Sequence, residues 1–157
     1  MKFIFYCIGK ENSVSLHSAI DVFSKRIQHY FTLEWKVISS PKTRAGSAET
    51  EFKSKEAALI LQNIKKDDYL IALDEKGQML SSPQLASWIQ SKADERVKQI
   101  IFLIGGAYGL HESVLQRANF IWSLSPLTFP HQLVRLILVE QVYRACTIIK
   151  NEKYHHG

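Results

Sequence analysis

The run VKQIIFLIGG, Val97 to Gly106, constrains the fold more than any other stretch. A strand with one wet face alternates apolar and polar side chains. Here Ile100 to Ile104 offers no polar residue on either face, so both faces must be covered. Strands covered on both sides belong to parallel sheets with helices packed above and below. The run is too short to span a membrane, and it ends in two glycines, which mark a tight exit from the strand.

The rest of the chain supplies the layers. KFIFYCIG reads as a first buried strand ending at Gly9. SVSLHSAIDVFSKRIQHY then spaces Val14, Ala19, Val22, Phe23 and Ile27 at roughly helical intervals. LEWKVIS alternates as a strand, SPKTRAGSA is a polar loop, and Glu49–Ile64 reads as a helix with Lys and Glu on its wet face. Tyr69–Leu73 is expected to be a strand turned by acidic residues and Gly77. SSPQLASWIQSKADE opens with a serine cap and Pro83 in the first helical turn. HESVLQRA is a short helix, FIWSLS a short strand, and a long helix runs from Pro130 to about Ile149. Strand and helix alternate throughout, with five strands. The expected fold class is α/β, a mostly parallel sheet flanked by helices, within one domain over residues 1–157.

Composition narrows the setting. The longest apolar region, Leu133–Ile149, is interrupted by Arg135, Glu140 and Arg144, so no membrane span is expected. The opening MKFIFYCIG has too short an apolar core for a signal peptide. Cys7 and Cys146 each sit in apolar runs and read as buried thiols of a reducing compartment, the cytoplasm. The 20 Lys and Arg against 15 Asp and Glu give a charge of +5, which is compatible with nucleic acid without requiring it. Neither HExxH nor a Cys cluster occurs, so no metal is expected.

In parallel sheets, ligands sit beyond the carboxyl ends of strands. Three such ends can be named: Leu73-Asp74, Ile104-Gly105-Gly106 and Leu124-Ser125. LIGGAYG places three glycines after its strand, where backbone amides can approach a ligand, yet it is neither GxGxxG nor a P-loop. SPLTFPHQLVR, Ser125–Arg135, carries two prolines, a hydroxyl and a histidine. Pro126 and Pro130 stiffen a loop able to present its backbone to a purine edge, or serving simply as a rigid connector. Glu140 and Arg144 form an i,i+4 pair, and Arg135 and Arg144 are candidates for phosphate or a partner's carboxylate. The tail KNEKYHHG offers Tyr and His for stacking and proton transfer, or frays as a solvated end.

Taken together, LIGGAYGL, WSLSPLTFPHQLVRLILVEQVYRA and the YHH tail resemble the ribosomal RNA large subunit methyltransferase H family of the SPOUT class, over nearly the whole chain. The resemblance implies a SPOUT-type fold with a C-terminal trefoil knot, a homodimer, and methylation at N3 of a pseudouridine in 23S rRNA of the large ribosomal subunit. It implies S-adenosylmethionine as cofactor, touching Leu73, Gly105, Leu124, Ser125, Pro126, Leu127, Thr128 and Phe129. His155 is then the candidate for handling the imide proton, with Tyr154 as its orienting neighbour, and Arg135 and Arg144 are candidate RNA contacts. Where family tails carry a basic residue after the Tyr-His pair, this chain has His156. Two other readings remain: a non-catalytic RNA-binding module of the same fold, which needs no cofactor loop, and a nucleotide-binding α/β protein, against which the missing GxGxxG counts.

Overall fold

The computed structural model describes residues 1–9, 14–41 and 48–154. The elements are β1 (Lys2–Ile8), α1 (Val14–Ile27), β2 (Thr32–Ile38), α2 (Glu49–Gln62), β3 (Tyr69–Met79), α3 (Ser82–Asp94), β4 (Gln99–Ile104), α4 (Glu112–Arg117), β5 (Phe120–Ser123) and α5 (His131–Ile149). The five strands form one sheet in the order β2-β1-β4-β3-β5, and every neighbouring pair is parallel.

The double-sided burial expected of the apolar strands is what the side chains do. In β1, Phe3, Phe5 and Cys7 face a core shared with α1, α3 and α5. Ile4, Tyr6 and Ile8 face a second core under α2 and α4. β4 divides in the same way, with Ile100, Phe102 and Ile104 on the first side and Ile101 and Leu103 on the second. The first core is aromatic at its centre. Phe102 meets Phe3 and Phe5 edge-on, with ring centroids 5.7 and 5.3 Å apart. α5 packs between α1 and α3, burying Leu138, Val139, Val142, Ala145 and Cys146. α3 begins as its sequence indicates, with a reciprocal capping box between Ser81 and Gln84.

One element departs from expectation. β3 does not stop at Leu73 but runs to Met79. Leu73 and Gln78 both pair with Trp122, so the intervening residues bulge out of the ladder. The Asp74 carboxylate accepts from the Lys76 amide at 2.9 Å and closes the bulge as a small turn. Gly77 lets the strand return, because a Cβ there would lie 2.7 Å from the Ile121 carbonyl carbon and oxygen. The acidic residues and the glycine were signs of a turn, and the turn lies inside the strand.

Both cysteines are free and wholly buried. Burial pushes the Cys7 thiol up to about 12, against an opposing pull from the Arg135 guanidinium, and it pushes Cys146 to about 12 as well. Thiolates are the reactive form. The folded protein at pH 8 is therefore expected to resist an aromatic disulfide reagent, with both thiols reacting only once denaturant opens the core. Fast labelling of either one without denaturant would show that the sheet opens locally.

Candidate functional site

Because β3 lies between β4 and β5, the strand ends named from the sequence come side by side. Leu73 is in register with Ile104 on one side and with Trp122 on the other. Beyond them opens a cleft of about 920 Å³. Leu73, Gly105, Leu124, Ser125, Leu127, Thr128 and Phe129 all line it, whereas Pro126 is not on its wall. The β5–α5 loop is held from within. The Ser123 hydroxyl donates to the Ser125 carbonyl at 3.0 Å, and the Leu127 amide donates to the Ser125 hydroxyl at 3.0 Å. Leu127 sits at the lip, 67% exposed.

The glycine turn after β4 is the wall opposite that loop. A Cβ on Gly105 would come within 2.9 Å of the Leu110 side chain. A larger residue there would therefore press first on the turn's own packing. Gly106 is tighter still, since a Cβ would lie 2.6 Å from both carboxyl oxygens of Glu56. Glu56 reaches this position from α2 and is 3% exposed. Its Oε1 has no hydrogen-bond partner among the described residues. Burial raises its pKa, against the opposing pull of the hydrogen bond with Ser40. The sequence signalled a tight turn here but gave no sign of what it turns against, because Glu56 lies on a helix that reads as ordinarily amphipathic.

The cleft has the features of a small-molecule site. The glycine turn exposes backbone at close range, Leu73, Leu124 and Phe129 give apolar surface for a ring, and Asp74, Glu75 and Glu112 supply negative charge for a cation. The Trp122 indole N–H faces no acceptor among the described residues, although Trp122 also lines the cleft.

The other sequence candidates fall elsewhere. Arg135 is 1% exposed, on the inward face of α5 beside Cys7, which removes it from any surface contact with RNA phosphate. Arg144 is half-buried, pairs with Glu140 as the i,i+4 spacing indicated, and lies over the Tyr154 ring at 4.9 Å. Tyr154 itself is fastened to α5. Its hydroxyl donates to Glu140 at 3.2 Å, its ring meets Tyr143 edge-on at 4.7 Å, and burial raises its phenol pKa. Thirteen helical steps take α5 from His131, at the cleft, to Arg144, a rise of about 20 Å. Tyr154, fastened beside Arg144, is therefore far from this cleft. His155 and His156 fall outside the described residues. Sequence reasoning noted His131 within SPLTFPHQLVR but gave it no role, and it lines the cleft. Its one available signal was the i,i+4 spacing from Arg135.

Comparison with known proteins agrees with this layout. A family profile described as "Predicted SPOUT methyltransferase" matches residues 1–155. Proteins named ribosomal RNA large subunit methyltransferase H are similar along nearly their whole length. The one from Christiangramia forsetii is 44% identical over 150 residues, covering 96% of each chain. That from Cytophaga hutchinsonii is 44% identical over 99% of this chain and 100% of its own. That from Alkaliphilus oremlandii is 46% identical over 94% of this chain and 95% of its own. Among solved structures, a probable methylase family protein from Haemophilus influenzae superposes with a TM-score of 0.57 at 14% identity, over 99% of this chain and 70% of that one. A tRNA (m1G37) methyltransferase from Aquifex aeolicus gives 0.55 at 16% identity, over 100% and 76%. At these identities the two structures speak to the fold alone.

The contact between Glu56 and Gly106 makes a testable pair. Gly106→Ala is expected to cost about 1–3 kcal/mol in urea unfolding, as overpacked sites do. Adding Glu56→Ala should recover part of that loss, because the clashing atoms go. Strictly additive costs would show that something other than Glu56 keeps position 106 free of a side chain.

Proposed function

The chain belongs to the SPOUT methyltransferases, within the ribosomal RNA large subunit methyltransferase H family, and on that premise we propose that it methylates N3 of a pseudouridine in 23S rRNA, using S-adenosylmethionine. The observation that carries this reading is the cleft at the β3 bulge and the ends of β4 and β5, which all the cofactor residues marked by family resemblance except Pro126 line. When bound, the cofactor supplies an electrophilic methyl group on a cationic sulfur. The protein's part is to hold that group in line with the acceptor nitrogen and to keep water away, and such positioning alone contributes much of a methyl-transfer rate. Leu73, Leu124 and Phe129 give the ring an apolar seat, the Gly105-Gly106 turn offers backbone partners, and the acidic rim favours the cation.

The same reading takes the working form as a homodimer in the cytoplasm, with the β5–α5 loop as part of a trefoil knot; the strand order is compatible with that knot. Two features support the dimer. Leu133 and Ile137 of α5 are only half-buried although the helix is largely apolar. Tyr154 is fastened about 20 Å along α5 from the cleft, so a catalytic part for His155 calls for a second copy whose tail meets this cleft. Arg144, half-exposed beside that tail, remains the candidate for an RNA phosphate.

Two experiments test this. A charge of +5 gives few phosphate contacts, and non-specific affinity of roughly 10⁻⁴ to 10⁻⁶ M cannot select one base. Labelled methyl groups should therefore enter assembled ribosomes or large subunits far faster than a synthetic hairpin containing the pseudouridine. Equal rates would show that local RNA structure suffices. Separately, His155→Ala and Gly105→Val proteins, each weakly active alone, should regain activity when unfolded together and refolded. Complementation fails if each tail serves its own cleft.

A further inference from the structure

A second pocket of about 550 Å³ adjoins the first across Gly106, Ala107 and His131, which line both. We propose that this pocket receives the imide edge of the target uracil-type base, with His131 accepting the N3 proton in place of the tail's His155, whose part is then to hold the base, and with Arg135 stabilising the ring anion. The proposal rests on the methyltransferase reading above and assigns the acceptor side of the same site.

The two pockets differ in charge. Glu49, Asp74, Glu75 and Glu112 line the cofactor cleft and outnumber its two lysines, Lys53 and Lys76, which leaves an excess of negative charge suited to a sulfonium. Among the described residues lining the second pocket there is no carboxylate, and Arg135 is its single charged side chain. A guanidinium is a planar donor that favours an electron-rich ring over a cation. Ile8, Leu16 and Leu133 give flat apolar contact, and the volume falls within the range for small-molecule sites. Gly9, at φ +120°, lies in front of the guanidinium. A Cβ built there would stand 4.0 Å from Nη2, in van der Waals contact, so the bare glycine keeps that end of the guanidinium uncovered by a side chain at position 9.

His131 stands at the boundary, one helical turn before Arg135 and on the same face of α5. Burial, and then the charge of Arg135, hold its pKa below the ordinary value, so the ring is neutral near pH 7 and has a lone pair to offer. The step balances. The N3–H proton passes to the imidazole. The nitrogen lone pair forms the N–CH₃ bond as the C–S bond breaks, and its electrons remain on sulfur, leaving a neutral thioether, a neutral methylated base and an imidazolium. Arg135 beside it disfavours that imidazolium and hastens loss of the proton to solvent. Apart from His131 and Arg135, no titratable side chain lines this pocket among the described residues.

The test compares His131→Gln, Arg135→Lys and the parent protein, each checked for folding by thermal melting. His131→Gln should lower the single-turnover methylation of large subunits about 10²–10⁴-fold, with S-adenosylhomocysteine affinity changed less than about threefold. In the parent protein saturated with S-adenosylhomocysteine, free pseudouridine should shift the His131 ring resonances in NMR spectra, and N3-methylpseudouridine should shift them less. His131 is half-buried at a helix start, so its variant carries the test even if Arg135→Lys does not fold. A parental rate in His131→Gln, or cofactor affinity falling in step with rate, overturns the proposal, as does a pseudouridine that leaves the His131 signals unmoved. A parent protein that binds no cofactor and methylates no particle overturns the preceding reading and this one together.

Discussion

The requirement that β1 and β4 be dry on both faces governs the molecule. From Phe3 to Ile8 and from Ile100 to Ile104 every side chain is buried, and only the leading residues Lys2 and Gln99 reach water. Two helical layers must therefore exist, and the strands must run parallel with helical crossovers between them. Once β3 is hydrogen-bonded between β4 and β5, three loops leave the sheet on one side and cannot avoid one another. The cleft is a consequence of this packing order. No residue needs to be recruited from a distance to form it.

Within that frame, the two pockets differ in charge. Four acidic groups from the β3 bulge, α2 and α4 line the first pocket and outnumber Lys53 and Lys76 from the same elements. The buried cation comes from α5, which also forms the wall of the second. The glycine turn separates the two regions at the thickness of a bare backbone, and Glu56 closes it from behind. A cationic donor and an acceptor that passes through an anion can thus lie next to each other, each in surroundings suited to its own sign.

Much of this was legible in the residues. The continuous apolar run at Ile100–Ile104 gave the parallel sheet, and Ser81 with Gln84 gave the start of α3. The resemblance pointed to Gly105 and the Ser125–Phe129 loop, and these line a common cleft, short of Pro126. Other features were not legible, each for a physical reason. The extension of β3 past Leu73 depends on how closely Gly77 approaches β5, and that distance has no periodicity. Arg135 reads as one more surface cation until α5 is rotated into place against Cys7. Glu56 occurs in a helix rich in Lys and Glu, and only tertiary contact singles it out from its neighbours.

Gly77 carries one further consequence. Its backbone lies so close to Ile121 and Trp122 that a methyl group there would act as a wedge between β3 and β5. β5 is only four residues long and leads directly into the cofactor loop, so any displacement at 77 passes along the shortest strand of the sheet. A residue that touches neither pocket's contents thus sets the gap between two of its walls. In engineering terms, position 77 is a remote adjustment on site width, reached without altering any group that meets a ligand.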